Sequence, residues 1–380
     1  MRSHDLTADH LLTLQDAWQA LVRADPSANL FFTPLMGDGL VTLRQTPTMA
    51  PARTFEVWHG DQLAAFLPLE PVRQLGRLTF PHQQSVHWRH RFLAEPLIDP
   101  QHLPAVCALL LTWLGQQKSG GFALSLPLLR GDDAFFTALC AAATTRGIAH
   151  YVVHRDSRPA MILPMILPGR INQSFEQYLA SRFSGPTLKK LRAKRRKLAR
   201  LGPLRHEQLA ASEDVSPWFE TFLALEHDGW KGERGTSILA DPADRQFFKG
   251  LVNTAHTSGN LVMTRTVLGL PGGQKTISAS IDIRQGDHQY ALKIAYDRAY
   301  GTYSPGVLHE IDNLRVLWDA ATGPRLLDSC AASDHPVLDK LYADRIALAH
   351  LVLAPAAGLA GLPLRGFMAA RALAKRFGRR

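Results

Sequence analysis

The stretch Tyr290–Leu308, YALKIAYDRAYGTYSPGVL, has the residue types and spacing best suited to chemistry. An apolar strand runs into a loop of small residues, and a helix follows. Such a joint leaves backbone N–H groups at the helix N-terminus, where they can hold a pyrophosphate with help from the helix dipole. Ser304 occupies the N-cap position, Pro305 suits the first helical turn, and Gly306 would let the backbone approach a ligand closely. Tyr296, Asp297, Tyr300, Gly301 and Val307 complete the candidate cofactor-binding set. Four of the seven tyrosines fall within Tyr290–Tyr303, which favours a site. An ordinary capped strand–loop–helix joint fits the same residues, so the local pattern leaves both readings open.

The flanking pattern supplies the elements that would position this loop. Leu261–Leu268, Thr276–Arg284 and Gln289–Tyr296 read as three consecutive strands, with turns at Pro271-Gly272-Gly273 and Gln285-Gly286-Asp287. Gly306–Ala321 reads as a helix, Arg325–Cys330 as a strand and Val337–Ala347 as a helix. Upstream, Ser174–Ser181, Leu188–Leu201, Ser216–His227 and part of Ser237–Ala255 read as helices. The first 165 residues alternate too: a helix over Thr7–Arg23, a hairpin over Thr54–Pro71 turning at Gly60-Asp61, a helix over Gln101–Gln117, a strand over Gly121–Leu128, a helix over Asp133–Arg146 and a strand over Ile148–His154. Pro164–Gly169 marks a break. Three segments follow: residues 1–168, residues 169–345, and a tail over residues 346–380 that reads as apolar and then basic helix.

Composition sets outer limits. A chain of 380 residues with 46% apolar and 20% charged residues is large enough for two cores. The net charge of +10 is local. Gly185–His206 carries nine Lys or Arg and no acid, Arg365–Arg380 carries six and no acid, and the remainder is near −5. Thr187–Arg200 reads as one helix with Leu188, Leu191, Leu198 and Leu201 on its inner stripe. Its outer face is either simply solvated or a platform for phosphates or an anionic membrane. The tail from Leu364 mixes apolar residues with cations in a way that suits an anionic leaflet. Ile346–Leu364 has 19 residues without Asp, Glu, Lys or Arg and borders on spanning length; it reads as a helix at or near a membrane, with insertion the lesser reading. Cys107, Cys140 and Cys330 form no CxxC, which argues against a disulfide scaffold or cysteine zinc site. His82, His87 and His90 cluster near Trp88 with no metal-ligand spacing and read as surface-loop residues; no metal is expected. Met1–His10 lacks the apolar core of a signal peptide, so the expectation is a cytoplasmic protein that could sit at the inner membrane face. No RNA-recognition pattern appears, which disfavours nucleic acid.

The run Lys293-Ile-Ala-Tyr-Asp297, with Tyr300 and Tyr303-Ser-Pro-Gly306, resembles the C-terminal signature of the CelD/BcsL-type acyltransferases, GNAT-superfamily proteins associated with exopolysaccharide and cellulose biosynthesis. Glu226-His-Asp-Gly-Trp-Lys-Gly232 looks like that family's Glu-x-x-Gly-Trp-Lys-Gly segment. Asp328-Ser-Cys330 and Leu338–Arg345 resemble its late strand and closing helix. Glu95–Asp99 and Phe31–Pro34 are vaguer echoes in the first half. The resemblance implies an α/β (α+β) fold of tandem GNAT-like domains, each a mixed, mostly antiparallel sheet flanked by helices, as in the Fem-type aminoacyltransferases. It implies acyl-CoA as donor and a sugar or lipid-linked glycan precursor as acceptor, with the working site in residues 169–345 and a degenerate first domain. Arg298-Ala-Tyr-Gly301-Thr-Tyr departs from the Gln/Arg-x-x-Gly-x-Gly/Ala loop of single-domain GNATs by lacking the last small residue. Two alternatives stand beside this: an aminoacyl-tRNA-dependent transferase of the Fem type, and a non-catalytic scaffold of a membrane synthase.

Acyl transfer requires an acceptor that loses a proton, a stabilised oxyanion and a protonated leaving thiolate. Lys293, in an apolar strand, is a candidate oxyanion stabiliser or the salt-bridge partner of Asp282 on the preceding strand. Asp282 is a candidate base or only that partner. Glu226 is a candidate general base or a capping or solvated carboxylate. Tyr303 could protonate the thiolate or merely pack.

Overall fold

The computed structural model describes residues 1–44, 51–75, 78–116, 123–163, 170, 172–320, 323–354 and 366. The chain forms two compact units. One comprises Met1–Ser157 with Ala347–Arg380, the other Arg158–Ile346. The division therefore falls before the Pro164–Gly169 break, and residues 347–354 return to the first unit.

The first unit begins with helices α1 (Ala8–Thr13), α2 (Gln15–Ala24) and α3 (Gly37–Thr42). Thr7–Arg23 is thus two helices, because Leu14 closes α1 with its N–H on Leu11 and Leu12 while opening α2. Strands β1 (Arg53–His59), β2 (Gln62–Leu75), β3 (Leu78–Ser85) and the short β4 (Leu97–Ile98) follow, then α4 (Leu103–Gln116), β5 (Leu124–Arg130), α5 (Ala134–Thr145) and β6 (Ala149–Ile162), whose last residues belong to the second unit. The β1–β2 hairpin turns at Gly60, whose φ of 60° suits a residue without Cβ. Sheet order in this unit is β1-β2-β3-β5-β12, with β4 on β2. Trp18, Phe31, Phe32, Phe55, Phe66 and Trp88 fill the core.

Strand β12 (Asp344–Ala354) corrects the expected helix over the closing residues. Ile346–Ala354 is an apolar run without helical periodicity, and such a run satisfies a strand buried on both faces as well as a buried helix. Pairing settles the choice: Leu348 to Leu353 run antiparallel to Arg130 to Leu124 of β5. The expected basic tail at 365–380 lies outside the described residues apart from Gly366. Among the described residues, no helix is long and apolar enough to cross a membrane.

The second unit carries α6 (Phe175–Arg182), α7 (Gly185–Ala199), β7 (Leu204–Gln208), α8 (Val215–His227), α9 (Trp230–Glu233), α10 (Pro242–Thr257), β8 (Leu261–Leu270), β9 (Gly273–Gln285), β10 (His288–Tyr296), α11 (Pro305–Asp319), β11 (Leu326–Asp328) and α12 (Leu338–Leu341). Strand order is β6-β11-β10-β9-β8-β7. Pairing is antiparallel except between β10 and β11, as the crossover through α11 requires. Helix α8 packs on β9 and β10, and α11 on β8, β9 and β10. Tyr178 and Trp318 pack with ring centres 4.4 Å apart and planes tilted by 34° inside a cluster shared by α6, α11 and α12. Of the expected α7 stripe, Leu188 and Leu198 are buried, whereas Leu201 lies past the helix end and is 43% exposed. The mixed α/β class with helix-flanked sheets is as expected.

Candidate functional site

The parallel ladder between β10 and β11 covers His288–Tyr290 against Leu326–Asp328. Strand β10 continues six residues beyond it, while β11 stops where Cys330 takes a left-handed φ of 49°. The two strands therefore part beside Ala291–Tyr296, and the loop to α11 begins at the wide end. Asp297 holds that loop: its N–H donates to the Ile277 carbonyl, its carboxylate accepts the Ala299 N–H and pairs with Lys275 at 2.8 Å. Residues Arg298–Tyr303 make a 3-10 turn, and Ser304 ends it at φ 57°.

Ser304 occupies the N-cap position of α11, as expected, but its side chain makes no capping bond to the helix. Its Oγ accepts from Lys194 Nζ of α7 at 2.6 Å. Pro305 has no N–H to offer, and the next N–H groups are those of Gly306 and Val307. Gly306 is small for a reason other than ligand approach. A Cβ there would stand 3.2 Å from Cδ1 of the Tyr296 ring, so Gly306 and Tyr296 pack on each other. Tyr300 and Tyr303 are half-buried against the Leu198, Leu268, Ile277 and Leu308 cluster. Gly301 is exposed at the loop tip.

Helix α7 lies along this loop. A cleft of about 160 Å³ between α7, β7 and α11 is lined by Arg195, Arg205, His206, Asp312 and Arg315 among others. Its arginines are paired: Arg195 with Asp312, Arg205 with Glu207, Arg315 with Glu176. Part of the basic run thus neutralises neighbouring acids, while Lys194 faces the loop.

The expected catalytic residues divide. Glu226 is 3% exposed and so is not solvated: Oε1 pairs with Lys231 at 2.7 Å and Oε2 accepts the N–H of Ile238, which opens a 3-10 turn, at 2.8 Å. Lys231 also reaches the Ile294 carbonyl of β10 at 3.5 Å, so the Glu-x-x-Gly-Trp-Lys-Gly segment is laid against the open strand. The tight turn needs Gly232, where a Cβ would sit 1.7 Å from the His227 carbonyl oxygen.

Lys293 does not face Asp282. A bulge between Ala291 and Lys293 sets Asp282 opposite Ala291 and Lys293 opposite Ile281. Lys293 Nζ lies 5.1 Å from the Phe248 ring centre, and Asp282 accepts from Gln289 at 2.7 Å. Burial pushes the Asp282 carboxyl up to about 8, and the nearby Glu310 carboxylate adds to the push. Glu310 itself is raised by burial to about 7, against hydrogen bonds from Tyr342 and Asn313 that favour its charged form. The result is a buried acidic pair that holds a proton near neutral pH. Sequence reasoning missed Glu310; the available signal was a charged residue beside the apolar stripe of α11. Nearby, the Arg158–Asp328 fork is fully buried, with contacts of 2.6 and 2.5 Å, and the same carboxylate accepts the Cys330 N–H.

One step along α11, His309 is 0% exposed and bonded to Thr264, Thr266 and Ser280. Burial drops its pKa to about 3, so it stays neutral. In the first unit, the histidine trio is not on a surface loop: His82 is 0% and His90 9% exposed, because β3 carries the first into the core and the segment after it folds inward. His4, His10 and Glu56 have metal-donor types within 4.8 Å of one another. There the Glu56 carboxylate already accepts from Thr54, His10 and Trp58, and the two imidazoles stack at 4.4 Å, the pattern of a clamp on the N-terminal arm.

Residues 186–335 match the acetyltransferase (GNAT) domain family. That span holds Lys194, Glu226, Asp282, the loop and the end of β11. Two solved structures share the fold along nearly the whole chain. FemX aligns with a TM-score of 0.55 and 12% identity over 97% of this chain and 99% of its own. The C-terminal domain of a putative lysylphosphatidylglycerol synthetase from Agrobacterium fabrum aligns with a TM-score of 0.51 and 12% identity, over 93% and 95%. At such identities the likeness is one of fold. No curated protein matches the chain. Within the second unit, residues 186–335 are thus similar to a GNAT acetyltransferase domain, and the chain is acyltransferase-like in fold.

Proposed function

We propose that the protein transfers an acyl group from acyl-CoA to an amine or hydroxyl of a sugar or lipid-linked glycan precursor, in the manner of the CelD/BcsL-type enzymes it resembles. The observation that carries the donor half is the parting of β10 from β11 beside an α11 N-terminus that Ser304 leaves uncapped, with Lys194 poised on Ser304. A pantetheine arm can hydrogen-bond along the open β10 edge, as an added strand would. Its pyrophosphate meets the Gly306 and Val307 N–H groups and the Lys194 ammonium. Tyr296, Asp297, Tyr300 and Gly301 shape and brace the loop.

The acceptor N–H or O–H adds to the thioester carbonyl and gives its proton to the Asp282–Glu310 pair. Lys293 faces the oxyanion. As the C–S bond breaks, the thiolate takes a proton from Tyr303. Glu226 orients Lys231 against the strand instead of acting as a base, since both its oxygens are engaged. The first unit serves as a degenerate GNAT-like domain for the acceptor. The basic face of α7 and the basic tail at 365–380 approach the anionic inner membrane surface, where a lipid-linked acceptor would be found.

Calorimetric titration with acetyl-CoA and longer acyl-CoAs tests the donor half. Saturable binding that weakens in Lys194→Ala supports it. Absence of binding by any acyl-CoA to folded protein removes it and turns the search to aminoacyl-tRNA, the donor of the Fem-type alternative.

A further inference from the structure

Helices α6, α7 and α11 of the second unit do not close fully on one another. Between them lies a cavity of about 210 Å³. Its walls are aliphatic: Leu179 from α6, Leu188 and Leu191 from α7, and Leu308 and Ile311 from α11. A packed interior leaves few voids larger than a water molecule, and an engineered cavity of about 150 Å³ with such walls stays dry and takes up benzene. The walls here therefore favour an alkyl guest over water.

The mouth is cationic. Arg192, Arg195 and Arg315 stand round it with only two carboxylates, Glu176 and Asp312. Both acids are committed: Glu176 accepts from Arg315 at 2.6 Å and Asp312 from Arg195 at 2.6 Å. Glu176 is held in its charged form first by the Arg315 bond, and Arg192 adds only a more distant attraction. Arg192 is exposed and belongs to neither pair, so three guanidinium groups face two carboxylates. The rest of α7 reinforces that sign, since Gly185–Ala199 contains no acid. An aliphatic hole beneath a surplus of positive charge matches a molecule with an alkyl tail and an anionic head.

We propose that the cavity between α6, α7 and α11 is a binding site for an anionic amphiphile, its alkyl tail among the leucines and its carboxylate or phosphate on Arg192. Two sources carry that chemistry, a fatty carboxylate and a lipid phosphate. The site stands apart from the acyl-CoA reading and does not depend on it: the donor loop meets α7 at Lys194, which does not line this cavity.

The test titrates the full chain with octanoate and with octyl phosphate below their micelle concentrations. Octanol, acetate and inorganic phosphate run beside them at matched ionic strength. Calorimetry and the methyl resonances of Leu188 and Leu191 give the readout. The expected result is a saturable shift of those methyls with one or both charged amphiphiles, and a negative heat-capacity change as the tail is buried. Tighter binding of octanoate marks a fatty carboxylate as the source, and tighter binding of octyl phosphate a lipid phosphate. Leu191→Trp fills the cavity and should abolish binding. Arg192→Gln removes the contact to the head and should weaken binding about fivefold. Acetyl-CoA, which has no long tail, should bind Leu191→Trp as it binds the wild type, so failure of this site and failure of the donor reading show separately. Methyls unmoved in the wild type by either charged amphiphile overturn the proposal. So does octanol binding as tightly as they do, or undiminished binding in Leu191→Trp. The methyl resonances read out on wild-type protein, so the answer stands even where a variant fails to fold.

Discussion

Arg158 and Arg91 are equally buried, at 3% exposure each, yet they are treated oppositely. In the second unit, Asp328 meets the Arg158 fork with two short bonds. In the first, Nε and Nη2 of Arg91 have no hydrogen-bond partner among the described residues, and burial drags its pKa down to about 10 although the Glu70 carboxylate beside it pulls the other way. A third treatment appears at Asp282 and Glu310, where a proton replaces the missing counter-charge. The difference separates structural charge from poised charge. A matched buried pair fixes a fold, whereas a protonated one changes with pH.

The largest expected effect breaks the matched pair. Asp328→Ala removes the carboxylate from the Arg158 fork and should cost about 3–5 kcal/mol of unfolding free energy. Arg91→Met should cost less, because it removes three bonds from Nη1 to neutral acceptors and none from Nε or Nη2. Denaturant unfolding of both variants decides the matter. Equal losses would erase the distinction between the two arginines.

The protonated pair gives the next effect, with a definite sign. Both carboxyls have folded pKa values above their unfolded ones, so the folded state holds protons that the unfolded chain has released. Their contribution to stability is fully present below about pH 4 and is lost as pH rises through about 7 and 8. His309 works the other way: its folded value near 3 removes stability as pH falls below 6.5. Asp282→Asn should therefore flatten the decline between pH 5 and 9 by on the order of 2 kcal/mol, with the His309 limb unchanged. On the proposed mechanism, the same variant should remove the rise of acyl-transfer rate through that range. A pH–stability curve identical to wild type would show that Asp282 is not neutralised in the way described.

Much of this was legible beforehand, and the failures share a cause. The alternation in Thr276–Arg284 and Gln289–Tyr296 located β9 and β10 to within a few residues, and Pro305 marked the start of α11. Local pattern carries that information. It does not carry the strand bulge that separates Lys293 from Asp282, nor the pairing that makes Ile346–Ala354 a strand. His82 looked like a surface histidine because its neighbours are polar, yet β3 buries it. Glu310 and Lys194 drew no individual role for the same reason. Their partners, Tyr342 and Ser304, lie far away in sequence.

The smallest effect concerns a charge that is only half-buried. Lys194 bonds to Ser304, so it is not locked in an ion pair like Arg158. Removing it leaves a hydroxyl that water can reach, and stability should change by no more than about 0.5 kcal/mol. If its ammonium meets a CoA phosphate, however, affinity for acyl-CoA should fall about tenfold, roughly 1.4 kcal/mol for one charge-assisted contact. Arg195→Ala, which opens the ion pair with Asp312 instead, should have a smaller effect on binding. Calorimetry on the two variants therefore separates a donor-binding cation from one that only holds α7 to α11. Equal losses would mean that the basic helix acts through its overall field, and that the Lys194–Ser304 contact has no special place in binding the donor.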